Sequence, residues 1–230
     1  LIPCTLGATP IEQVLPAYNK EVILSIQHFI VEEIRTARRF LKQVDREINI
    51  DDLHFYPMGK HADIDRFASY LAPLRKGESV GVISEAGCPA VADPGADIVA
   101  IAQREGLRVV PLVGPSSIIL AVMASGFNGQ SFAFHGYLPI DPSERQKKLK
   151  HLEEVSRREH QTQLFIETPY RNKKMFDDIL RACSPTTRLC LAAGITTEQE
   201  WIKTLTLKQW KQSGLPELAK IPAIFAIYAR

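Results

Sequence analysis

Short, largely continuous apolar runs recur along this chain, and most are followed by a stretch whose apolar residues repeat at helical spacing. That order constrains the fold more than any other feature. A strand apolar at consecutive rather than alternate positions is covered on both faces, and strands separated by helices pair in parallel. In the first half, residues 27–31, 79–83 and 107–112 read as strands. Helical spacing fits 34–44, with Ile34, Ala37, Leu41 and Val44 on one face, and 62–76, with Ile64, Phe67, Leu71 and Leu74. Further helices are expected at 96–105 and 115–125. Gly77, Gly106 and Gly126 stand where helices stop.

After Gly126 the pattern restarts. Strands are expected at 132–134, 163–167, 188–193, 200–205 and 223–229. Asp141-Pro142 supplies a cap and a first-turn proline for a long charged helix ending near Arg158, and helices also fit 169–182 and 207–212. Shorter strands and a late run of them predict a mixed sheet here, against a mostly parallel one before. A boundary within 113–116 divides the chain into an N-terminal α/β domain, 1–113, and a C-terminal α/β domain, 114–230.

Bulk properties exclude little but bound the rest. A length of 230 residues holds one large domain or two small ones, and 45% hydrophobic with 23% charged residues is an ordinary globular balance. A net charge of +2 announces neither a nucleic-acid binder nor a membrane-surface protein, so local patches must carry any such claim. No apolar run approaches the roughly 18 to 20 residues that span a bilayer, so no membrane association is expected. The opening LIPCTLGATP has no basic stretch followed by a long apolar one, so no secretory signal is expected and the cytoplasm is the expected compartment. Cys4, Cys88, Cys183 and Cys190 show no CxxC spacing, which predicts reduced thiols and no metal site. The histidines form neither a metal nor a triad pattern, and His28 and His135 sit in apolar runs as core or wall residues.

Irregular chemistry gathers at strand ends. Residues 84–95, SEAGCPAVADPG, lie between an apolar strand and a helix, the position at which open α/β sheets bind ligands. The order is neither GxGxxG nor a P-loop, so those nucleotide fingerprints are absent. An ordinary turn with Asp93 capping the next helix remains the competing account. Val113-Gly114-Pro115-Ser116-Ser117 and Glu167-Thr168-Pro169-Tyr170-Arg171 occupy similar positions, and together the three loops predict a small-molecule cleft between two domains. Two basic clusters are open to two readings, a solvated helix face or a phosphate-contact surface: Arg35, Arg38 and Arg39, and the series Arg145, Lys147, Lys148, Lys150, Arg157 and Arg158, which Arg171, Lys173 and Lys174 extend.

Taken in order, SEAGCPAVADPG, VVPLVGPSSIILAVMASG, FAFHGYLP and FIETPYR resemble the tetrapyrrole-methylase superfamily, and within it the bacterial ribosomal RNA small-subunit methyltransferase I family. The resemblance runs from about residue 5 to the C-terminus. It implies two α/β domains, a homodimer and S-adenosylmethionine held between the domains, with the methyl group passing to a cytidine ribose 2′-hydroxyl of small-subunit ribosomal RNA. Carried over by position, it implies cofactor contacts at Glu85, Ala86, Gly87, Val91 and Asp93, then at Ser116, Ser117 and Ile118. It further implies contacts at Phe165 and Thr168, at Leu191, Ala192 and Ala193, and at Pro222 and Ala223. The chain departs from the family where the acceptor is expected. EDTR becomes Glu32-Glu33-Ile34-Arg35, an ARELTK-like segment becomes Ala193-Gly194-Ile195-Thr196-Thr197, a GE pair becomes Ile221-Pro222, and an IGNL-like loop becomes Leu6-Gly7-Ala8-Thr9.

Methyl transfer from a sulfonium asks the protein to align acceptor and methyl carbon, and a ribose hydroxyl benefits from a base or a cation. On that reading Glu33 and Glu85 are candidate bases and Arg35 a candidate phosphate or alkoxide partner. Two alternatives stay open: a methyltransferase for a tetrapyrrole or other small molecule, and a non-catalytic binding module on the same fold.

Overall fold

A computed structural model describes residues 1–59, 64–217 and 221–230, with Ile64 and Asp65 described by their backbone alone. The chain divides into two compact units, Leu1–Ser116 and Ser117–Arg230.

The first unit is built on three strands, β1 (His28–Val31), β2 (His54–Pro57) and β3 (Val80–Ile83), ordered β2-β1-β3 and all parallel. Helices α1 (Ile11–Val14), α2 (Ala17–Leu24), α3 (Ile34–Val44), α4 (Ile64–Tyr70), α5 (Ala72–Arg75) and α6 (Ala96–Arg104) complete it. The apolar run of β1 is continuous because both faces are used. Phe29 and Val31 join one buried cluster with Ile23, Phe40 and Leu41, whereas Ile30 joins another with Phe67, Leu71, Val82 and Ile98.

Three expectations differ from the structure. Residues 107–112 form no strand of the sheet. The edge beside β3 is occupied by the first residues of the chain, where Ile2 N–H donates to Val82 O at 2.9 Å. The 107–112 stretch, interrupted by Pro111, lies outside them instead: the Leu1 nitrogen donates to Val110 O at 2.8 Å and Leu112 N–H to Leu1 O at 3.0 Å. The helix expected over 62–76 is two helices, because Pro73 in the first turn of α5 has no N–H to continue the ladder. Residues 62 and 63 of that expectation lie outside the described residues. The helix expected from 115 begins at Ser117. Sequence reading also passed over β2, α1 and α2. β2 is an edge strand only partly buried that ends in Pro57, and α2 buries only Asn19 and Ile23, so neither leaves a clear period.

The second unit carries β4 (Phe132–Tyr137), β5 (Thr162–Glu167), β6 (Arg188–Ala193), β7 (Trp201–Thr206) and β8 (Ala223–Tyr228), ordered β4-β5-β8-β6-β7. β4 and β5 are parallel and the remaining pairs antiparallel, so the sheet is mixed as expected. Helices α7 (Ser117–Ser125), α8 (Pro142–Glu159), α9 (Asn172–Ala182) and α10 (Leu207–Ser213) accompany it. β8 is central and buried at every residue, which explains its unbroken AIFAIY. Leu149 and Leu152 of α8, Phe176 and Ile179 of α9 and Trp210 of α10 pack with Phe165, Leu191 and Phe225 in one core. Asp141 caps α8 as its sequence announced, accepting from Glu144 N–H at 2.9 Å. Arg145 does not belong to the basic surface expected of this helix. It is 3% exposed, and its guanidinium meets Asp178 Oδ2 of α9 at 2.6 Å.

Candidate ligand site at the strand ends

In a parallel sheet every carboxyl end falls on one edge. The register pairs Val31 with both Pro57 and Ile83, so the segments after β1, β2 and β3 emerge side by side. Glu32-Glu33 and Ser84-Glu85 are thereby neighbours. Thr36, in the first turn of α3, donates to Glu85 Oε1 at 2.5 Å and ties the two segments together. Glu33 is the N-cap of α3, its carboxylate accepting from Arg35 N–H at 3.1 Å, while the Arg35 side chain is exposed. The candidates Glu33, Arg35 and Glu85 are thus brought to one edge, with Glu33 also serving the helix.

The 84–95 loop is folded sharply. Gly87 sits at φ +68°, and a Cβ there would lie 3.1 Å from Leu6 Cδ2 and 3.4 Å from Pro115 O. Its carbonyl accepts from Cys4 N–H at 2.9 Å. Ala90 and Ala92 hold positive φ values of 68° and 62°, a region that L-residues seldom occupy and that marks stored strain. Gly87, Pro89 and Gly95 are buried, whereas Glu85, Ala86, Val91 and Ala92 face solvent. A rigid inner course therefore presents an outer rim of one carboxylate, backbone and a small apolar surface. Asp93 does not cap α6: the N-cap is Gly95 at φ +125°, with no side-chain cap.

The electrostatics of this rim are negative. Burial, and then the charges of Glu85 and Asp93, push the Cys4 thiol up to about 12, so it is inert as a nucleophile. Burial also raises the Asp93 carboxyl above its ordinary range, a hydrogen bond from Ser84 opposes that, and the charge of Glu85 adds to it. Such a site disfavours a phosphate and fits a cation. Cys88 is a bystander, its thiol donating to Pro115 O at 3.4 Å and raised by burial. A carboxyl with a raised folded pKa holds its proton more tightly when folded, so its stabilising effect is present at low pH and lost as pH rises towards that raised value. Asp93→Asn is therefore expected to raise the urea midpoint at neutral pH and to leave it unchanged below the ordinary carboxylate range. Equal midpoints at neutral pH would remove Asp93 as a strained group.

At the end of the second loop, Ser116 closes the first unit, Ser117 opens α7 and Ile118 is 8% exposed. Within the second unit the register pairs Glu167 and Ala193 with Ala223, bringing the ends of β5 and β6 to the start of β8. Gly194 N–H donates to Pro222 O at 3.0 Å across this edge. Phe165, Leu191, Ala192, Ala193 and Ala223 are core side chains, so only their backbone is available to a ligand. Thr168 and Pro222 reach the surface. Beside them Arg171 pairs with the buried Glu167 at 2.8 Å and donates from Nε to Thr168 Oγ1 at 3.1 Å. Sequence reading did not single out Thr36 or Ser84. A hydroxyl in the first turn of a helix that follows a parallel strand was the available signal. Among the described residues no cluster of His, Cys, Asp and Glu could hold a metal ion, and no helix is long and apolar enough to cross a membrane.

Known proteins resemble this chain in sequence and in fold. The chain is 30% identical over 189 residues to the ribosomal RNA small subunit methyltransferase I of Vibrio cholerae serotype O1, covering 82% of this chain and 62% of that protein. The protein of the same name from Escherichia coli O157:H7 is 29% identical over 182 residues, 79% of this chain and 60% of that one. The chain thus spans about three fifths of the length of these curated relatives. Among solved structures, the methyltransferase CobJ superposes with a TM-score of 0.61 at 16% identity, covering 94% of this chain and 89% of that one. The cobalt precorrin-4 methyltransferase CbiF gives 0.60 at 15% identity, covering 97% and 93%. Both share the fold of two α/β units described above. The family model for tetrapyrrole (corrin/porphyrin) methylases matches residues 12–211, and to that family this chain belongs.

Proposed function

We propose that this chain carries an S-adenosylmethionine-dependent methyltransferase activity directed at a ribose 2′-hydroxyl of small-subunit ribosomal RNA, in the cytoplasm. The sequence shared with relatives named for small-subunit rRNA methylation carries the reading. The negative rim of the 84–95 loop supports the cofactor, because its sulfonium and ammonium groups are cationic. The solved uroporphyrin-III C-methyltransferase of Thermus thermophilus that shares the fold, at a TM-score of 0.56, is complexed with S-adenyl homocysteine.

When bound, the cofactor supplies the electrophilic methyl group, so the protein's task is binding, alignment and proton removal. Glu85, Ala86, Gly87, Val91 and Asp93 are the proposed contacts of the first unit, with Ser116 following. Within the second unit, Ser117 and Ile118 at the start of α7 and the edge formed by Phe165, Thr168, Leu191, Ala192, Ala193, Pro222 and Ala223 are proposed contacts, mostly through backbone. Glu85 is the proposed base, held by the Thr36 hydroxyl at 2.5 Å. Arg35, exposed at the start of α3, is the proposed phosphate or alkoxide partner. Glu33 is the weaker candidate base, since its carboxylate already caps α3.

Calorimetry with S-adenosylmethionine, followed by radiolabelled methyl transfer to small ribosomal subunits and to a small-molecule extract, tests this. Binding with label on the subunit RNA is expected. Glu85→Gln should weaken cofactor binding, since it removes a charge of the rim, and at saturating cofactor should still lower turnover by about 10²- to 10⁴-fold. Label confined to the small-molecule fraction would assign a different acceptor. Absence of cofactor binding would leave a non-catalytic module.

A further inference from the structure

We propose that the outer face of α3 is the surface on which the RNA backbone lands beside the candidate site, a reading that rests on the RNA acceptor proposed above. One face of this helix is spent on the core, where Ala37, Phe40, Leu41 and Val44 are buried. The opposite face carries Arg35, Arg38, Arg39 and Lys42, all exposed. Their spacing of i, i+3, i+4 and i+7 places them in one stripe, rising roughly 10 Å along the helix. No acid interrupts the stripe within Ile34–Val44.

Two observations separate this face from a merely solvated one. Arg35 and Arg39 make no ion pair with any described residue. Arg38 meets Asp51, whose side chain is 88% exposed, at 3.1 Å and lies over the Phe55 ring, its Cζ 6.0 Å from the centroid, so its one ionic partner is a solvated one. Their charge is therefore available. Arg38, Arg39 and Lys42 also line a shallow open groove of about 570 Å³ with Gln43 and Ile50, three cations and an amide around one apolar side chain. Guanidinium forks bind phosphate oxygens in pairs, and three of the four cations are arginines.

The stripe begins one residue from Thr36, whose hydroxyl is bonded to Glu85 of the candidate loop. That loop is negative and repels phosphate, so a polyanion is held off the cofactor contacts and drawn to the adjoining helix. On α8, by contrast, Arg145 is buried, and Lys147 is paired with Glu144 at 2.8 Å.

The test uses the double variant Arg39→Glu/Lys42→Glu, two exposed positions outside the proposed catalytic and cofactor contacts, with Lys147→Glu/Lys150→Glu as an equal change of charge elsewhere. Binding to a small-subunit rRNA fragment is measured across salt concentrations, with S-adenosylmethionine affinity and thermal midpoint followed in parallel. Loss of two phosphate contacts should weaken RNA binding about tenfold or more and flatten the log–log salt dependence by about 1.4 to 1.8. Cofactor affinity and midpoint should be unchanged. Wild-type affinity and slope in the α3 variant would overturn the proposal, as would an equal loss in the α8 control, which would mean net charge alone. Intact RNA binding with lost binding to phosphatidylserine vesicles would assign the face to a membrane instead. A wild-type chain that binds cofactor but no RNA overturns this proposal together with the RNA acceptor, whereas wild-type RNA affinity in a variant that still methylates RNA removes this proposal alone.

Discussion

Asp178→Ala is expected to destabilise the second unit by about 3–5 kcal/mol, the cost of stranding one partner of a buried ion pair. Both side chains are 4% exposed. Arg145 Nε and Nη2 meet Asp178 Oδ2 at 2.7 and 2.6 Å, and Nη1 donates to Pro139 O at 2.9 Å and Ile140 O at 2.7 Å. The pair therefore fastens the turn before α8 to α9. Without Asp178 a guanidinium stays buried with only carbonyl partners, and Arg181, 3.4 Å from the other carboxylate oxygen, adds to the positive charge. Replacing both partners together, Arg145→Met with Asp178→Leu, should cost far less, because no charge is left behind. Urea unfolding of the three proteins checks this. A single variant within about 1 kcal/mol of wild type would mean that water or relaxation relieves the charge. The loss should depend little on salt, since buried pairs are weakly screened.

Gly87→Val is expected to abolish measurable cofactor binding while costing the fold less than Asp178→Ala does. At φ +68° an L-residue loses about 1–2 kcal/mol, and a β-branched one fits that region worst. Its Cβ would also press on Leu6 Cδ2 at 3.1 Å and Pro115 O at 3.4 Å. The cheapest relief is a flip of the loop, which breaks the Cys4 N–H to Gly87 O bond and moves Glu85 and Ala86 away from Thr36. An affinity loss above about a hundredfold by calorimetry, with a midpoint lowered by only a few degrees, is the expected pair of results. Unchanged affinity would take the 84–95 loop out of the cofactor site.

Much of this architecture is written locally. β1, β3 and β8 are short runs whose consecutive residues are all apolar or glycine in the buried positions, so burial on both faces is readable without a structure. Gly126 at φ +70° ends α7, and Asp141 opens α8, because backbone conformation and capping depend on one residue and its neighbours. The SEAGCPAVADPG loop was legible for the same reason: glycines and prolines between two regular elements mark the carboxyl end of a strand.

What the sequence left undecided was decided by partners distant along the chain. Residues 107–112 have the apolar character of a strand, yet the edge they would have taken at β3 is filled by Ile2, whose N–H bonds Val82. β2 is a strand only because β1 offers it an edge. Arg145 reads as one more surface cation on a charged helix until Asp178, 33 positions away, draws it into the interior. Thr36 and Glu85 meet only because parallel pairing sets the ends of β1 and β3 side by side. Sequence thus determined most helices, the strands buried on both faces and the turns between them, since those depend on nearest neighbours. Tertiary structure decided which edge, which charge and which hydroxyl serve the site, since a hydrogen bond or an ion pair depends on distance in space.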